Sequence, residues 1–368
     1  MSDPFDIFLI CPPGLESALA SEALEHGFAP ANAISGGVEI KGDWPEVWRA
    51  NLMLRGAVRV LVRIGSFRAF HLAQLDKRAR KFPWADFLRP DVPVRVEVST
   101  NKRSKIYHAG AAAQRIETAI KESLGAPISP EAALTLKARI DDNLVTFSLD
   151  SSGESLHKRG FKEAVNKAPM RETLAALFLR EAGYTGTEPV LDPMCGSGTF
   201  PIEAAEIAMG LAPGRARSFA FENLASFDAA AWETLRSGVT PRSTDQHFYG
   251  SDRDQGAIAM STRNADAAGV SEHTNFTCTS ISDLKRPEGP AGLVIINPPY
   301  GARIGNKKPL FALHAALGTT LKTEFRGWRV AIITTEASLA KATGLTLSAG
   351  PYVPHGGLKV RLYQSGPL

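Results

Sequence analysis

From residue 189 onward, short apolar stretches alternate with helix-length segments, and this alternation constrains the fold more than any other feature of the sequence. Strands separated by such long connections pair in parallel, because only antiparallel strands can be joined by a tight hairpin. The carboxyl ends of parallel strands share one edge, where open α/β sheets bind ligands. We therefore predict an α/β domain with strands at 189–191, 246–249, 274–278, 293–296 and 328–334 and a final pair near 345–363.

The strand predicted at 293–296 runs directly into Asn297-Pro298-Pro299-Tyr300. Proline has no N–H for the ladder of a central strand, so the chain must leave the sheet here. The Asn297 side-chain carbonyl and the Pro298 backbone carbonyl are two acceptors that suit the two hydrogens of an exocyclic amine on a base. Tyr300 offers a flat face on which that base could stack. A proline turn that caps a strand, with Tyr300 as core filler, explains the same residues about as well.

A glycine-rich turn, Asp192-Pro-Met-Cys-Gly196-Ser-Gly198-Thr199, follows the first predicted strand. Gly196 and Gly198 allow the backbone to approach a ligand closely. A Walker loop would need Gly-Lys-Ser/Thr after the turn, and a dinucleotide fingerprint would need a glycine where Pro201 stands. The pattern therefore favours S-adenosylmethionine, whose ammonium group Asp192 would face.

A second acid, Asp252, ends the next predicted strand, where it could bind the ribose hydroxyls of this cofactor. It lies about 60 residues after Asp192, far beyond the ~20 of a dinucleotide fold. The irregular segment 211–245, with basic and aromatic residues, accounts for the extra length, and we interpret it as an insertion. A simple turn residue is the alternative role for Asp252.

Positive charge is concentrated in one part of the chain. Residues 55–115 hold 14 Lys and Arg against 4 Asp and Glu, a local net charge of +10, which leaves about −6 for the remainder of a chain with net charge +4. Such a region favours a polyanionic partner, nucleic acid above all, although a solvated face is the alternative. Within it, the loop 99–108 carries Lys102, Arg103, Lys105 and Tyr107 ahead of a helix predicted at 109–124, whose first N–H groups could bind a phosphate.

Composition excludes several other classes of protein. No apolar run reaches the ~20 residues of a membrane span, and the acidic start does not resemble a signal peptide. The cysteines Cys11, Cys195 and Cys278 are odd in number and far apart, which argues against a disulfide framework and favours a reducing cytoplasm. No Cys/His spacing predicts a metal site. Cys195 has no nearby histidine in sequence that would make it a nucleophile.

Taken together, these motifs resemble the class I, S-adenosylmethionine-dependent RNA methyltransferases that carry a THUMP domain, in particular the guanine-N2 methyltransferases of 23S rRNA or tRNA. The resemblance extends over nearly the whole chain. It is carried by the glycine-rich turn followed by Ile202-Glu-Ala-Ala205, by Gly250-Ser-Asp252, by Asn297-Pro-Pro-Tyr-Gly301, by a junction of Ser155-Leu-His-Lys-Arg-Gly-Phe161 and Ala168-Pro-Met-Arg-Glu-Thr-Leu174, and by Lys105-Ile-Tyr-His108.

The resemblance implies a Rossmann-like methyltransferase domain at 169–368. An α+β region would precede it, made of a ferredoxin-like unit at 1–64, an RNA-binding THUMP domain at 65–150 and a linker at 151–168. It implies that Asn297, Pro298 and Tyr300 bind the target base. It places the cofactor among Asp192, Met194, Gly196, Gly198, Thr199, Asp252, Ser280, Ile281 and Asn297.

One position departs from the family pattern. The family commonly has an aspartate after the strand 274–278, where it contacts the adenine amino group of the cofactor, but this chain has Ser280, with Asp283 three residues later. Either Ser280 makes this contact or Asp283 substitutes for it. Two other functions also stay open. One is an adenine-N6 methyltransferase of DNA or RNA, because the Asn-Pro-Pro-Tyr motif alone serves either base. The other is a non-catalytic RNA-binding protein.

Overall fold

The computed structural model describes residues 4–161, 170–300 and 308–368. These residues form two compact units, and each unit is built on one seven-stranded sheet. The N-terminal unit contains Met1–Cys11, Ala20–Leu156 and Arg217–Gly238, and the C-terminal unit contains the rest of the chain. The prediction of a parallel α/β domain preceded by an α+β region is confirmed.

The first 150 residues supply the sheet of the N-terminal unit, in the order β2-β3-β1-β4-β7-β6-β5. Its pairs are antiparallel except that of β5 with β6, which a helix, α4, connects. The elements are β1 (Phe5–Ile10), α1 (Glu16–Glu25), β2 (Asn32–Ile34), β3 (Gly37–Gly42), α2 (Trp44–Met53), β4 (Arg59–Arg68), α3 (Leu72–Ala79), β5 (Val94–Thr100), α4 (Ala109–Leu124), β6 (Leu134–Asp141) and β7 (Leu144–Asp150).

The strand β4 spans the domain boundary predicted at residue 64. It pairs with β1 through 59–63 and with β7 as far as Arg68. One sheet therefore includes strands from both predicted N-terminal domains. The hairpin between β6 and β7 turns at Asp142 and Asn143, which have positive φ angles of 47° and 61°, as a two-residue type I′ turn requires.

The C-terminal unit has strand order β10-β9-β8-β11-β12-β14-β13. The first five strands in this order are parallel, and β14 and β13 form an antiparallel hairpin beside β12. The elements are α5 (Glu172–Glu181), β8 (Val190–Asp192), α6 (Thr199–Ala208), α7 (Ala229–Ser237), β9 (Phe248–Asp252), α8 (Gln255–Ala268), β10 (Thr274–Cys278), β11 (Leu293–Ile296), α9 (Lys308–Glu324), β12 (Arg329–Thr334), α10 (Ala337–Ala342), β13 (Ser348–His355) and β14 (Leu358–Ser365), of which α7 belongs to the N-terminal unit.

The junction that starts at Ala168 leads into α5, which begins at Glu172. Ala168 and Pro169 lie outside the described residues. All four residues of β11 are fully buried, as the continuous apolar run predicts for a strand covered on both faces. Val294 and Ile296 pack into one cluster with Leu317 and Leu321 of α9, so this helix covers one face of the central strands.

The chain order of the parallel strands reverses between β8 and β11. From β8 the sheet grows outward through β9 and β10, and β11 then pairs on the opposite side of β8. The loops that follow β8 and β11 therefore leave the sheet in opposite directions and open a crevice at its carboxyl edge. Ligands of open α/β sheets bind at such a reversal point.

Most of the segment interpreted as an insertion belongs to the N-terminal unit. Arg217 donates hydrogen bonds to backbone carbonyls of that unit, including that of Glu154 at 2.7 Å. The buried ring of Phe221 stacks on Phe219 and on Trp48 of α2, with ring centroids 5.1 and 6.0 Å apart. Phe219 and Phe221 of this segment thus pack a core, and backbone carbonyls hold Arg217.

No described helix is both long and apolar enough to cross a lipid bilayer.

Candidate active site

The glycine loop (residues 193–198) connects β8 to α6. Gly196 and Gly198 have φ angles of +55° and +80°, in a left-handed region that costs other residues about 1–2 kcal/mol. The Gly198 N–H donates to the Cys195 carbonyl at 2.8 Å, and α6 begins at the next residue. The loop therefore turns the chain tightly and leaves the first N–H groups of α6 at the carboxyl edge of the sheet.

Two buried side chains of α8 fasten this loop from behind. The Ser261 hydroxyl donates to the Gly196 carbonyl at 2.9 Å, and the Asn264 amide donates to the Ser197 carbonyl at 3.0 Å. Sequence reasoning missed both residues. Their spacing of three, which places two polar groups on one face of a helix, is the signal that could have indicated them.

Asp192, at the end of β8, is a buried carboxylate with little compensation. Its side chain is 3% exposed and accepts one hydrogen bond, from the Met194 N–H at 3.0 Å. No Lys, Arg or His among the described residues forms an ion pair with it. Burial, together with the nearby charge of Asp252, raises the pKa of Asp192 to about 8. A cationic ligand group at this point would relieve that penalty.

Asp252 ends β9 and is bonded directly to the glycine loop. Its Oδ2 accepts from the Gly196 N–H at 3.1 Å, and its Oδ1 accepts from the Asp254 N–H at 3.0 Å. Asp252 therefore also acts as a turn residue, the alternative role that the sequence predicted. Carboxylate oxygens have further lone pairs, so the half-buried side chain can still accept hydrogen bonds from hydroxyl groups.

The loop after β10 contains Ser280 and Asp283, the two alternatives for the adenine contact, and a hydrogen bond links them. The Ser280 hydroxyl donates to Asp283 Oδ2 at 2.7 Å. Between them, Ile281 packs on the core cluster, and its carbonyl accepts from the Thr320 hydroxyl at 2.9 Å. Ser280 and Asp283 thus form one hydrogen-bonded pair, held by the packing of Ile281.

Asn297 follows β11 and carries an unsatisfied acceptor. Its Oδ1 is buried, and no group in the described part of the chain donates to it. Leaving such an atom unpaired costs about 1–3 kcal/mol, so it points to a ligand donor. Pro298 is buried and Tyr300 is half-buried, and burial raises the pKa of the Tyr300 phenol to about 12. Tyr300 is therefore neutral at ordinary pH and can serve as a ring but not as a base.

The strand register brings these groups to one edge. Asp192 pairs with Gly250, two residues before Asp252, and Leu191 pairs with Val294, three residues before Asn297. Adjacent strands lie ~4.8 Å apart, so the columns of Asp252 and Asn297 are separated by roughly 10 Å with Asp192 between them. This arrangement suits an elongated ligand that crosses β9, β8 and β11.

The remaining predicted residues support the loop. Met194 packs on the core cluster, and the Thr199 hydroxyl donates to the Met170 carbonyl at 3.4 Å. Cys195 is buried, and burial raises the pKa of its thiol above the ordinary value. Its Sγ lies 3.0 Å from the point where a Cβ on Gly250 would stand. Cys195 therefore fills space and is not a nucleophile.

These side chains fit S-adenosylmethionine. The uncompensated carboxylate of Asp192 matches an ammonium group, and Asp252 can accept from ribose hydroxyls. A Cβ built on Gly196 would meet no atom within 4 Å, so the loop borders open space. Within the described ranges, no group of three or more His, Cys, Asp or Glu side chains is arranged to hold a metal ion.

Alanine substitutions at the two glycines are expected to act differently. A Cβ on Gly198 would lie 3.0 Å from Ser261 Cβ, so Gly198→Ala adds overpacking to backbone strain and should lower the free energy of unfolding by about 2–4 kcal/mol. Gly196→Ala meets only backbone strain, about 1–2 kcal/mol, but its methyl group enters the space beside the loop and should weaken cofactor binding. Urea unfolding and calorimetric titration with S-adenosylmethionine measure the two effects. Equal losses of stability would contradict this interpretation.

Comparison with known proteins agrees with this geometry. Residues 159–356 match a family model described as the RMKL-like methyltransferase domain, and residues 6–61 match one described as the RlmL ferredoxin-like domain. The first match covers more than half of the chain and includes all the site residues described above.

Similar proteins are known over the full length of the chain. A Synechocystis protein named as a candidate RNA methyltransferase is 32% identical over 360 residues, which are 95% of this chain and 93% of that protein. Ribosomal RNA large subunit methyltransferase K/L of Vibrio cholerae is 33% identical over 341 residues, 89% of this chain but 48% of that protein. The chain thus spans about half the length of the K/L enzyme.

A solved structure has the same fold. SMU.472, a candidate methyltransferase crystallised with S-adenosylhomocysteine, superposes with a TM-score of 0.89 at 26% identity and covers 100% of this chain and 99% of that one. The predicted family and the predicted cofactor, S-adenosylmethionine, are confirmed. The chain therefore belongs to the RMKL-like family of class I, S-adenosylmethionine-dependent methyltransferases.

Proposed function

We propose that this protein transfers a methyl group from S-adenosylmethionine to the exocyclic N2 amine of a guanine in structured RNA, either rRNA or tRNA. The observation that carries the proposal is the buried, unpaired Oδ1 of Asn297. It lies at the carboxyl end of β11, next to the strand that ends in Asp192. A buried acceptor without a donor beside a methyl-donor site suits a substrate amine.

The choice of RNA rests on two observations. The relatives with about one-third identity are named as RNA methyltransferases, one of them of the large ribosomal subunit. The N-terminal unit also presents cations on a firmly held loop. Buried Ser104 and Ile106 anchor the loop 101–108, and Asn143 Oδ1 accepts from the Lys105 N–H at 2.9 Å.

The anchored residues alternate with exposed ones, so Lys102, Lys105 and Tyr107 point outward. Elsewhere in 55–115, several arginines are paired with carboxylates, such as Arg59 with Asp150 at 2.6 Å. The positive charge is therefore concentrated on the unpaired surface cations, which can bind RNA phosphates.

We retain the predicted division into ferredoxin-like, THUMP and linker regions as part of the proposal.

The chain's own residues account for the chemistry by positioning. A flipped guanine would stack on the neutral ring of Tyr300, which offsets part of the few kcal/mol that unstacking costs. Asn297 Oδ1 and the Pro298 carbonyl would accept from the two N2 hydrogens, so the nitrogen lone pair points out of the base plane. When bound, S-adenosylmethionine supplies a methyl group on a cationic sulfur, and Asp192, Asp252 and the Ser280–Asp283 pair would orient it.

The balance of the reaction requires no strong base. A nitrogen–carbon bond forms as the methyl–sulfur bond breaks, and the nitrogen then releases one proton to water. Holding the amine in line with the methyl group provides most of the acceleration, since positioning alone supplies about 7–11 kcal/mol in well-oriented systems.

Product analysis tests the proposal. Purified protein, labelled S-adenosylmethionine and deproteinised rRNA or tRNA are incubated, and the RNA is digested to nucleosides. We expect label in N2-methylguanosine. Label in N6-methyladenosine would establish the adenine alternative with the same pocket, and cofactor binding without any label in RNA would contradict the proposed substrate. Mapping the methyl marks lost from a deletion strain identifies the nucleotide.

A further inference from the structure

The hairpin of β13 and β14 extends past the carboxyl edge of the sheet. The last residue of β12, Thr334, pairs with Arg361, but β14 begins three residues earlier, at Leu358. At ~3.4 Å per residue, the hairpin tip projects roughly 10 Å beyond the end of β12. Gly356 and Gly357, with φ angles of +57° and +82°, close the tip with a tight turn.

This tip stands beside the target-base pocket. Only β12 separates β14 from β11, so the hairpin lies roughly 10 Å to the side of the strand that ends at Asn297. Burial, together with the charge of exposed Arg171, lowers the pKa of His355 next to the tip. The residue before Arg171, Met170, is bonded to Thr199 at the start of α6.

The hairpin exposes aromatic and basic side chains, the kinds that bind nucleic acids. Tyr352 is 59% exposed and Leu358 is 43% exposed, and Lys359, which follows Leu358, is exposed as well. The Arg361 guanidinium lies 4.6 Å from the ring centroid of Tyr352 and is anchored by a hydrogen bond to the Gly350 carbonyl at 2.8 Å. No Asp or Glu occurs in residues 337–368, so the hairpin's own side chains include cations and an aromatic ring but no acid.

We propose that this hairpin binds the RNA strand next to the flipped nucleotide, with Lys359 on a phosphate and Tyr352 against a neighbouring base. The inference rests on the proposed function and extends it from the target base to the adjoining nucleotides. A strand whose base enters the pocket must continue past the rim, and the hairpin forms the basic part of that rim beside β12. Phosphate contacts from such a rim set the position of the strand without reading its sequence.

A charge reversal on the hairpin tests this. Lys359→Glu is compared with Lys322→Glu, which makes the same charge change at an exposed site in the last turn of α9, near the amino end of β12. Binding to deproteinised rRNA is measured with S-adenosylhomocysteine present, at several salt concentrations, and methyl transfer is measured in parallel. We expect Lys359→Glu to raise the Kd for RNA about fivefold to tenfold and to reduce the slope of log Kd against log salt by about 1.

Lys322→Glu is expected to stay within about twofold of the wild type, and both variants should bind S-adenosylhomocysteine normally. Tyr352→Ala should raise the Kd for RNA about fivefold or more without changing the salt slope, because it removes stacking and not charge. If the wild-type protein methylates RNA and the two glutamate variants bind RNA equally well, the hairpin contact is overturned and the proposed function stands. A wild type that neither binds nor methylates RNA would overturn both.

Discussion

Asn297→Ala is expected to lower kcat for methyl transfer by at least about 10²–10³-fold, while the Kd for S-adenosylhomocysteine stays within about threefold. The size follows from the loss of one hydrogen-bonding group aimed at the reacting centre, which typically costs that much. The Kd is retained because the Asp192 and Asp252 contacts are on the neighbouring strands β8 and β9. Single-turnover kinetics and calorimetric titration give the two values.

The same variant separates a functional from a structural role for Asn297. Because Oδ1 has no donor among the described residues, alanine removes a buried unpaired acceptor, so the free energy of unfolding should stay unchanged or increase by about 1 kcal/mol. Asn297→Asp, which keeps acceptor oxygens at the same place, should retain part of the activity. A loss of several kcal/mol of stability in Asn297→Ala, or full activity in that variant, would show that the side chain is a packing residue.

Asp192→Asn is expected to weaken S-adenosylmethionine binding by about 10²-fold, because removing one partner of a buried charge pair costs about 2–5 kcal/mol. Asp254→Asn is the matched control. Asp254 caps α8 by accepting from the Gly256 N–H at 2.9 Å, and asparagine caps a helix about as well. Cofactor affinity of the control should therefore match the wild type, whereas an equal loss in both variants would contradict a specific role for Asp192.

The pH dependence of cofactor binding gives an independent test of Asp192. The free side chain has a pKa of about 8, so at pH 7 it is mostly protonated and must release a proton to pair with an ammonium group. The ligand's α-amino group has an ordinary pKa of about 7.7–8.0, so at pH 9 it must instead take up a proton. Affinity should therefore be greatest near pH 8, with proton release on binding at pH 7 and uptake at pH 9. Calorimetry in buffers of different ionisation enthalpy measures both, and Asp192→Asn should abolish the release.

The stability of the unliganded protein should fall as the pH rises. The pKa of Asp192 is raised on folding, so its contribution to stability is complete below its ordinary pKa of 3.8 and is lost as the pH rises through about 8. Saturation with S-adenosylmethionine should remove this loss, because the ammonium group compensates the buried carboxylate. The difference between the melting temperatures of wild type and Asp192→Asn, followed from pH 5 to 9, measures the effect.

The sequence alone determined the elements and the chemistry that each strand end carries. Period and turn residues predicted β11 and its exit at Asn297. These features are local, because an apolar run, a proline or a left-handed turn is specified by a few adjacent residues. The resemblance to known methyltransferases depended on such short stretches as well.

The tertiary structure decided which of these groups meet. Asp192 and Asn297 are about 100 residues apart in the chain and adjacent in space only because β11 pairs with β8. The support of the glycine loop by Ser261 and Asn264, and the pairing of Ser280 with Asp283, also depend on how elements pack. So does the burial that leaves Asn297 Oδ1 unpaired and raises the pKa of Asp192. Desolvation and proximity are properties of the packed chain, and no single stretch of sequence encodes them.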